Sequence, residues 1–74
     1  MPKKIRELKR MLQKAGFGEM RGRGKGSHSM WRHLGYPDIT VELSGNDGAD
    51  ARRYHEGEVE HAIAEVARRN EDSE

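Results

Sequence analysis

The chain has 74 residues, the size of a single small domain with a thin hydrophobic core. It contains no cysteine, which excludes a disulfide framework and a thiolate metal site. No apolar run approaches the roughly 20 residues that a membrane helix needs, and the first residues do not resemble a signal peptide. We therefore expect one soluble, cytoplasmic domain that spans residues 1–74.

The charged residues are divided unequally between the two halves of the chain. Residues 1–32 carry ten Lys and Arg against two acids, a net charge of +8, and residues 33–74 carry four Arg against eleven acids, a net charge of −7. This division favours a polyanionic partner for the first half. The alternative is a solvated surface whose charges pair across the fold.

A first helix is predicted over residues 3–15. Ile5, Leu8 and Leu12 recur at the spacing of one helical face. Gly16 is placed to end this helix. On the other side of the same helix, a stripe of basic residues follows a four-residue spacing. Its members are Arg6, Arg10 and Lys14.

Three short strands are predicted next, over residues 17–21, 27–34 and 38–43. The third is the clearest, because Ile39 and Val41 alternate with the polar Thr40 and Glu42. A second helix is predicted over residues 57–69, preceded by a long polar segment over residues 44–55. The order α-β-β-β-α predicts an α+β fold with both helices on one face of a three-stranded antiparallel sheet.

The alternation of side chains along the second strand predicts which residues face the core. Trp31 is the only tryptophan, and so thin a core can hardly leave it outside. With Trp31 inward, His28, Met30 and Arg32 face the opposite side of the sheet. A three-residue hairpin loop over residues 35–37 would pair Leu34 with Asp38, Trp31 with Val41 and His28 with Ser44.

A basic, glycine-rich segment, RGRGKGSH over residues 21–28, precedes the second strand. It is not a phosphate-binding P-loop, because Lys25 is followed by Gly26 and no helix follows. Its glycines would let the backbone approach a ligand closely, and its cations suit phosphates. The segment predicts RNA binding, with a flexible basic hairpin as the alternative. The predicted RNA-binding residues are Arg21, Arg23, Lys25, Gly26, Ser27 and Arg32.

Of the four histidines, His28 is the candidate catalytic residue. It lies outward among cations that favour a neutral imidazole, the form that a general base for a ribose 2′-hydroxyl requires. His61 is expected on the solvated surface, His33 as a packed or edge residue, and His55 just before the second helix, where it could cap it. His28 and His33 face opposite sides of a strand, so a metal site is not expected.

Three segments together resemble one known protein family. Residues 24–28 (GKGSH) with residues 31–33 (WRH) resemble the glycine-serine-histidine strand of HicA-type toxins. Residues 12–17 (LQKAGF) are similar to the end of the first helix in that family. Residues 44–51 (SGNDGADA) with Tyr54 resemble the longer loop of one branch. The resemblance spans residues 3–67.

The resemblance implies a fold like that of a double-stranded-RNA-binding domain and a messenger-RNA interferase activity. It further implies metal-independent cleavage with His28 as the single essential histidine, no cofactor, and neutralisation by a HicB-type antitoxin. We expect the free protein to be a monomer, with Lys25 or the glycine amides stabilising the charged transition state. The alternative function is a non-catalytic RNA-binding module, against which the acidic sequence of residues 56–60 argues.

Overall fold

The computed structural model describes residues 3–20 and 28–72. The five elements are α1 Ile5–Lys14, β1 Phe17–Met20, β2 Ser29–His33, β3 Thr40–Leu43 and α2 Arg53–Asp72. The strands form one antiparallel sheet in the order β1-β2-β3. The predicted α+β class and the α-β-β-β-α order are confirmed.

The hydrophobic core lies between one face of the sheet and the two helices. Trp31 from the central strand is fully buried there, together with Leu8 of α1 and Val59 of α2. Next to Trp31 along the strand, Arg32 is exposed. The inward position of Trp31, predicted from the size of the core, is therefore confirmed, and with it the choice of face along β2.

The register between β2 and β3 is the predicted one, but the hairpin that joins them is longer than predicted. Trp31 pairs with Val41 as expected. Leu34 does not pair with Asp38, because β2 ends one residue earlier, where the His33 amide donates to the Ile39 carbonyl over 3.0 Å. The predicted three-residue loop over residues 35–37 is therefore wrong, and residues 34–39 connect β2 to β3.

The side chain of His33 explains the shape of this connection. Its Nδ1 accepts hydrogen bonds from the amides of Gly35 at 3.0 Å and Tyr36 at 3.1 Å. Since Nδ1 is an acceptor, the proton is on Nε2, which donates to the Ala15 carbonyl over 2.9 Å. Gly16 ends α1 with a φ of 97°, and a Cβ there would lie 2.8 Å from Nε2 of His33. His33 therefore joins the end of α1 to the hairpin.

The polar segment before α2 docks on the beginning of α1. The amides of Ile5 and Arg6 donate to the carbonyls of Ala49 at 3.0 Å and Asp47 at 3.1 Å. These bonds satisfy helix-terminal amides that have no partner within α1. The Ala51 amide also donates to the Lys3 carbonyl over 2.7 Å. The segment is thus held in place by the helix that it caps.

The second helix begins four residues earlier than predicted and ends three residues later, at Arg53 and Asp72 rather than at 57 and 69. His55 therefore lies in the first turn of α2 and is buried. Its Nδ1 accepts from the Arg52 amide at 3.4 Å, and its Nε2 lies 3.0 Å from Oγ of Ser44. Within residues 3–20 and 28–72, no helix combines the length and the apolarity that crossing a membrane requires.

Ion pairs made by residues of α2 predict a dependence of stability on acid pH. Hydrogen bonds from Arg68 and Arg69 lower the pKa of Glu65 from 4.5 to about 2, and Arg69 also lowers the pKa of Asp38. A carboxyl group with a lowered pKa in the folded state stabilises the fold above its unfolded pKa. That stabilisation is lost as the pH falls through the folded pKa.

We therefore expect the melting temperature to fall modestly between pH 4.5 and pH 2, in proportion to these exposed pairs. The variant Arg69→Gln should show a smaller fall, because it removes a partner of both Glu65 and Asp38. Thermal melts followed by circular dichroism at several pH values measure this. If the melting temperatures of the wild type and Arg69→Gln fell equally with pH, the ion pairs of Arg69 with Glu65 and Asp38 would not be the cause of the fall.

Candidate functional site

His28 lies immediately before β2 and is exposed, as predicted, although the strand itself begins only at Ser29. Its side chain is 53% exposed, and Nδ1 lies 3.5 Å from Oε2 of Glu42. Glu42 pairs with Met30 across the β2–β3 ladder, so it is the diagonal neighbour of His28 on the outer side of the sheet. The separation of 3.5 Å is longer than a strong hydrogen bond, and the two groups form an ion pair only when the imidazole is protonated.

Among the described residues, a carboxylate lies beside the imidazole of His28. Nδ1 faces Oε2 of Glu42, whereas two of the cations that the sequence predicted around this histidine, Arg23 and Lys25, lie outside the described residues. A carboxylate next to Nδ1 favours the tautomer that carries its proton there. The lone pair is then on Nε2, which is the arrangement that a general base needs.

A polar cavity of about 350 Å³ opens beside His28. Its volume is at the lower end of the range for small-ligand sites. It lies between α1, the start of β2 and the segment that caps α1. The residues that line it are Lys9, Glu19, His28, Ser29, Gly45, Asn46 and Asp47.

Lys9 and Asp47 form an ion pair at the wall of this cavity. The Nζ of Lys9 lies 2.6 Å from Oδ1 of Asp47. This hydrogen bond, with the charges of Lys9 and Arg6, lowers the pKa of Asp47. The guanidinium of Arg6 lies beside Gly48 of the capping segment, 3.9 Å from the point where a Cβ of that residue would be. Of these two basic residues of α1, Lys9 lines the cavity and Arg6 lies beside the capping segment without lining it.

The predicted RNA-binding residues are only partly described. Arg32 is exposed on the outer side of the sheet, where it pairs with Thr40, and it does not line the cavity beside His28. The others lie outside the described residues, so their predicted role stays a prediction. They are Arg21, Arg23, Lys25, Gly26 and Ser27.

The other three histidines have different surroundings. His61 is exposed on α2, as predicted. Both ring nitrogens of His33 and His55 are within hydrogen-bonding distance of partners inside the fold. Those two rings therefore serve the packing of the hairpin and of the first turn of α2. Of the four histidines, His28 is the one that is exposed beside the polar cavity.

Sequence reasoning missed Glu42 and the cavity wall. The predicted register already placed Glu42 opposite Met30, and His28 was predicted on the same outward face of the sheet. The proximity of Glu42 to His28 could therefore have been predicted. The position of Asn46 and Asp47 could not, because it depends on backbone hydrogen bonds to the start of α1. Nothing in residue type or spacing predicts such bonds.

No family model, curated protein or solved structure matches this chain. Within residues 3–20 and 28–72, no group of three or more His, Cys, Asp or Glu is arranged to hold a metal ion. The fold class and the surroundings of His28 are therefore the observations on which a function can be argued.

Proposed function

We propose that this protein is a toxin-type messenger-RNA interferase, a metal-independent endoribonuclease that uses His28 as its general base. The observation that carries the proposal is the exposed imidazole of His28 at a polar cavity, with Glu42 beside its Nδ1. The basic segment of residues 21–27 directly precedes His28 in the sequence. A histidine in such a position can reach an RNA chain whose phosphates the basic residues bind.

The proposed reaction is an intramolecular transesterification. Nε2 of His28 accepts the proton of a ribose 2′-hydroxyl, and the 2′-oxygen attacks the adjacent phosphorus. The bond from phosphorus to the 5′-oxygen of the next nucleotide breaks, and that oxygen takes up a proton from Ser27, Lys25 or water. The products are a 2′,3′-cyclic phosphate and a free 5′-hydroxyl. Glu42 acts as a positioning residue, because it orients the imidazole and stabilises the imidazolium that forms.

Basic residues of α1 support the binding of a polyanion near this site. Arg6, Arg10 and Lys14 are exposed along one side of the helix, and Lys9 lines the cavity. Lys25 or the amides of the glycine-rich segment would stabilise the charge that develops on the phosphate. These contacts act on the phosphate backbone and require no particular base sequence.

A non-catalytic RNA-binding module is the second candidate, and one observation favours it. The sequence argument against it was that the second helix begins with acidic residues. Instead, α2 begins at Arg53, and both Arg52 and Arg53 are exposed at its start. Exposed arginines at a helix N-terminus are suited to phosphate contacts. RNA binding without cleavage by the purified protein would support this second function.

The resemblance to HicA-type toxins implies a protein partner, a HicB-type antitoxin. We propose that this partner is acidic and covers the sheet face that carries His28 and Arg32. A carboxylate-rich surface there would speed association and exclude RNA at the same time. The helix α2 is a poorer target, since Glu58 and Glu60 are exposed on it.

RNA binding is expected to depend steeply on salt. If about five basic residues meet phosphates, the logarithm of the binding constant should fall with the logarithm of salt concentration with a slope near −3.5. Fluorescence anisotropy of a labelled single-stranded RNA with the variant His28→Ala measures binding without cleavage. A flat salt response would show that the charge division of the chain is not a nucleic-acid footprint.

A further inference from the structure

A second cavity, of about 550 Å³, forms a groove between β3 and α2. Among the described residues, β3 has β2 on one side and no strand on the other. The groove therefore runs along an open edge of the sheet. Its lining comprises residues 38–42 along the strand and, from α2, Tyr54, Gly57, Glu58, His61, Ala62, Glu65 and Arg69.

The ladder geometry gives this edge its hydrogen-bonding groups. The His33 amide donates to the Ile39 carbonyl, which marks a hydrogen-bonded pair at the end of the β2–β3 ladder. In an antiparallel ladder such pairs alternate with pairs whose backbone groups point away from each other. Thr40 and Glu42 fall in the second kind, so their amides and carbonyls are directed toward the open edge.

Gly57 keeps the helix side of the groove open. It lies within α2, where glycine is among the least favoured residues. A Cβ built on Gly57 would meet nothing within 4 Å, so tight packing does not explain the glycine. A larger side chain would instead project into the groove that Gly57 lines.

The charges of the groove define what it can bind. Asp38 and Glu65 are both bonded to Arg69, whereas Glu58 is exposed on α2 and Glu42 is exposed on the strand. Four acids against one Arg give the lining a net charge of −3, with His61 counted as neutral. Tyr54, which is 55% exposed, adds an aromatic surface.

We propose that this groove binds an extended, lysine- or arginine-rich segment of a partner protein, which adds to the sheet as a fourth strand beside β3. Backbone pairing at an open sheet edge provides affinity, and alternate side chains of the added strand provide specificity. Basic side chains on the face of the segment that is turned toward α2 would meet Glu58. The proposal is independent of RNA cleavage, and its test uses no RNA.

The probe is a fluorescein-labelled hexapeptide in which lysine alternates with valine, titrated with the full chain at low salt. We expect saturable binding, which weakens at least about tenfold when alternate backbone nitrogens of the peptide are methylated, because each lost hydrogen bond contributes to affinity. Replacing the lysines of the peptide with glutamates should abolish binding.

Protein variants locate the binding in the groove. Glu58→Lys should weaken binding of the lysine peptide, and Gly57→Trp should block the groove. Glu71→Lys is the matched control, because Glu71 is exposed on the same helix but lies outside the groove. Circular dichroism confirms that each variant is folded. The proposal is overturned if the lysine peptide does not bind, if the methylated or glutamate peptide binds equally well, or if Glu71→Lys weakens binding as much as Glu58→Lys.

Discussion

Replacement of Trp31 by alanine is expected to unfold the domain or nearly so. Trp31 is 2% exposed, it lies in the central strand, and its Nε1 donates to Oγ of Ser29 over 3.1 Å. Truncation of a buried tryptophan costs about 3–5 kcal/mol. Small domains have a free energy of unfolding near the lower end of about 5–15 kcal/mol, so the loss is most of the total. Urea denaturation followed by circular dichroism measures it.

Leu34→Ala is the matched control for this experiment. Leu34 is also a large apolar residue of the hairpin, but it is 79% exposed, so its truncation should change the free energy of unfolding by no more than about 0.5 kcal/mol. Trp31→Phe should lie between the two, because it keeps an aromatic ring in the core. A Trp31→Ala protein as stable as the Leu34→Ala protein would show that Trp31 does not hold the core together.

Replacement of His28 by alanine is expected to lower the rate of RNA cleavage by about 100- to 10,000-fold, the usual effect of losing a general base. The fold should be unchanged, since the side chain is exposed and contributes little to the core. The control is His61→Ala, which removes an exposed histidine from α2, away from the cavity beside His28. Equal cleavage rates in the two variants would remove His28 from the mechanism.

The variant Glu42→Gln separates positioning from binding. If Glu42 orients the imidazole, the variant should lower kcat while leaving the affinity for RNA nearly unchanged or slightly higher, because it removes a negative charge. The reduction should be smaller than that caused by His28→Ala. A variant with unchanged kcat would show that the contact between Glu42 and His28 has no catalytic role.

The arrangement of the sheet was predictable because the core of so small a domain must contain its largest apolar residue, Trp31. Once Trp31 is assigned to the core, the alternation along β2 and the apolar positions of β3 determine the faces and the register. The predicted length of the hairpin loop was wrong because of His33. Its ring accepts hydrogen bonds from two amides of the loop, and the β2–β3 ladder ends there. A single side chain with several backbone partners is not visible in a pattern of apolar residues.

The start of α2 was missed for a related reason. Gly57 and the acidic residues after it are typical of the beginning of a helix. The helix starts instead at Arg53, because His55 accepts a hydrogen bond from the Arg52 amide and contacts Ser44. The cavity beside His28 depends in turn on the capping of α1 by residues distant in sequence. The exposure of His28 and its proximity to Glu42 were predictable from strand alternation and register, but the neighbours that the capping segment contributes depend on these long-range backbone contacts.

The most direct test of the proposed function is incubation of a messenger RNA with the purified protein in the presence of EDTA, followed by mapping of the RNA ends. The proposal predicts new ends that carry a 2′,3′-cyclic phosphate and a 5′-hydroxyl with the wild-type protein, and almost none with His28→Ala. Intact RNA under conditions in which the protein binds it would contradict cleavage and favour the RNA-binding module. Cleavage that continues unchanged in His28→Ala would contradict the role of His28.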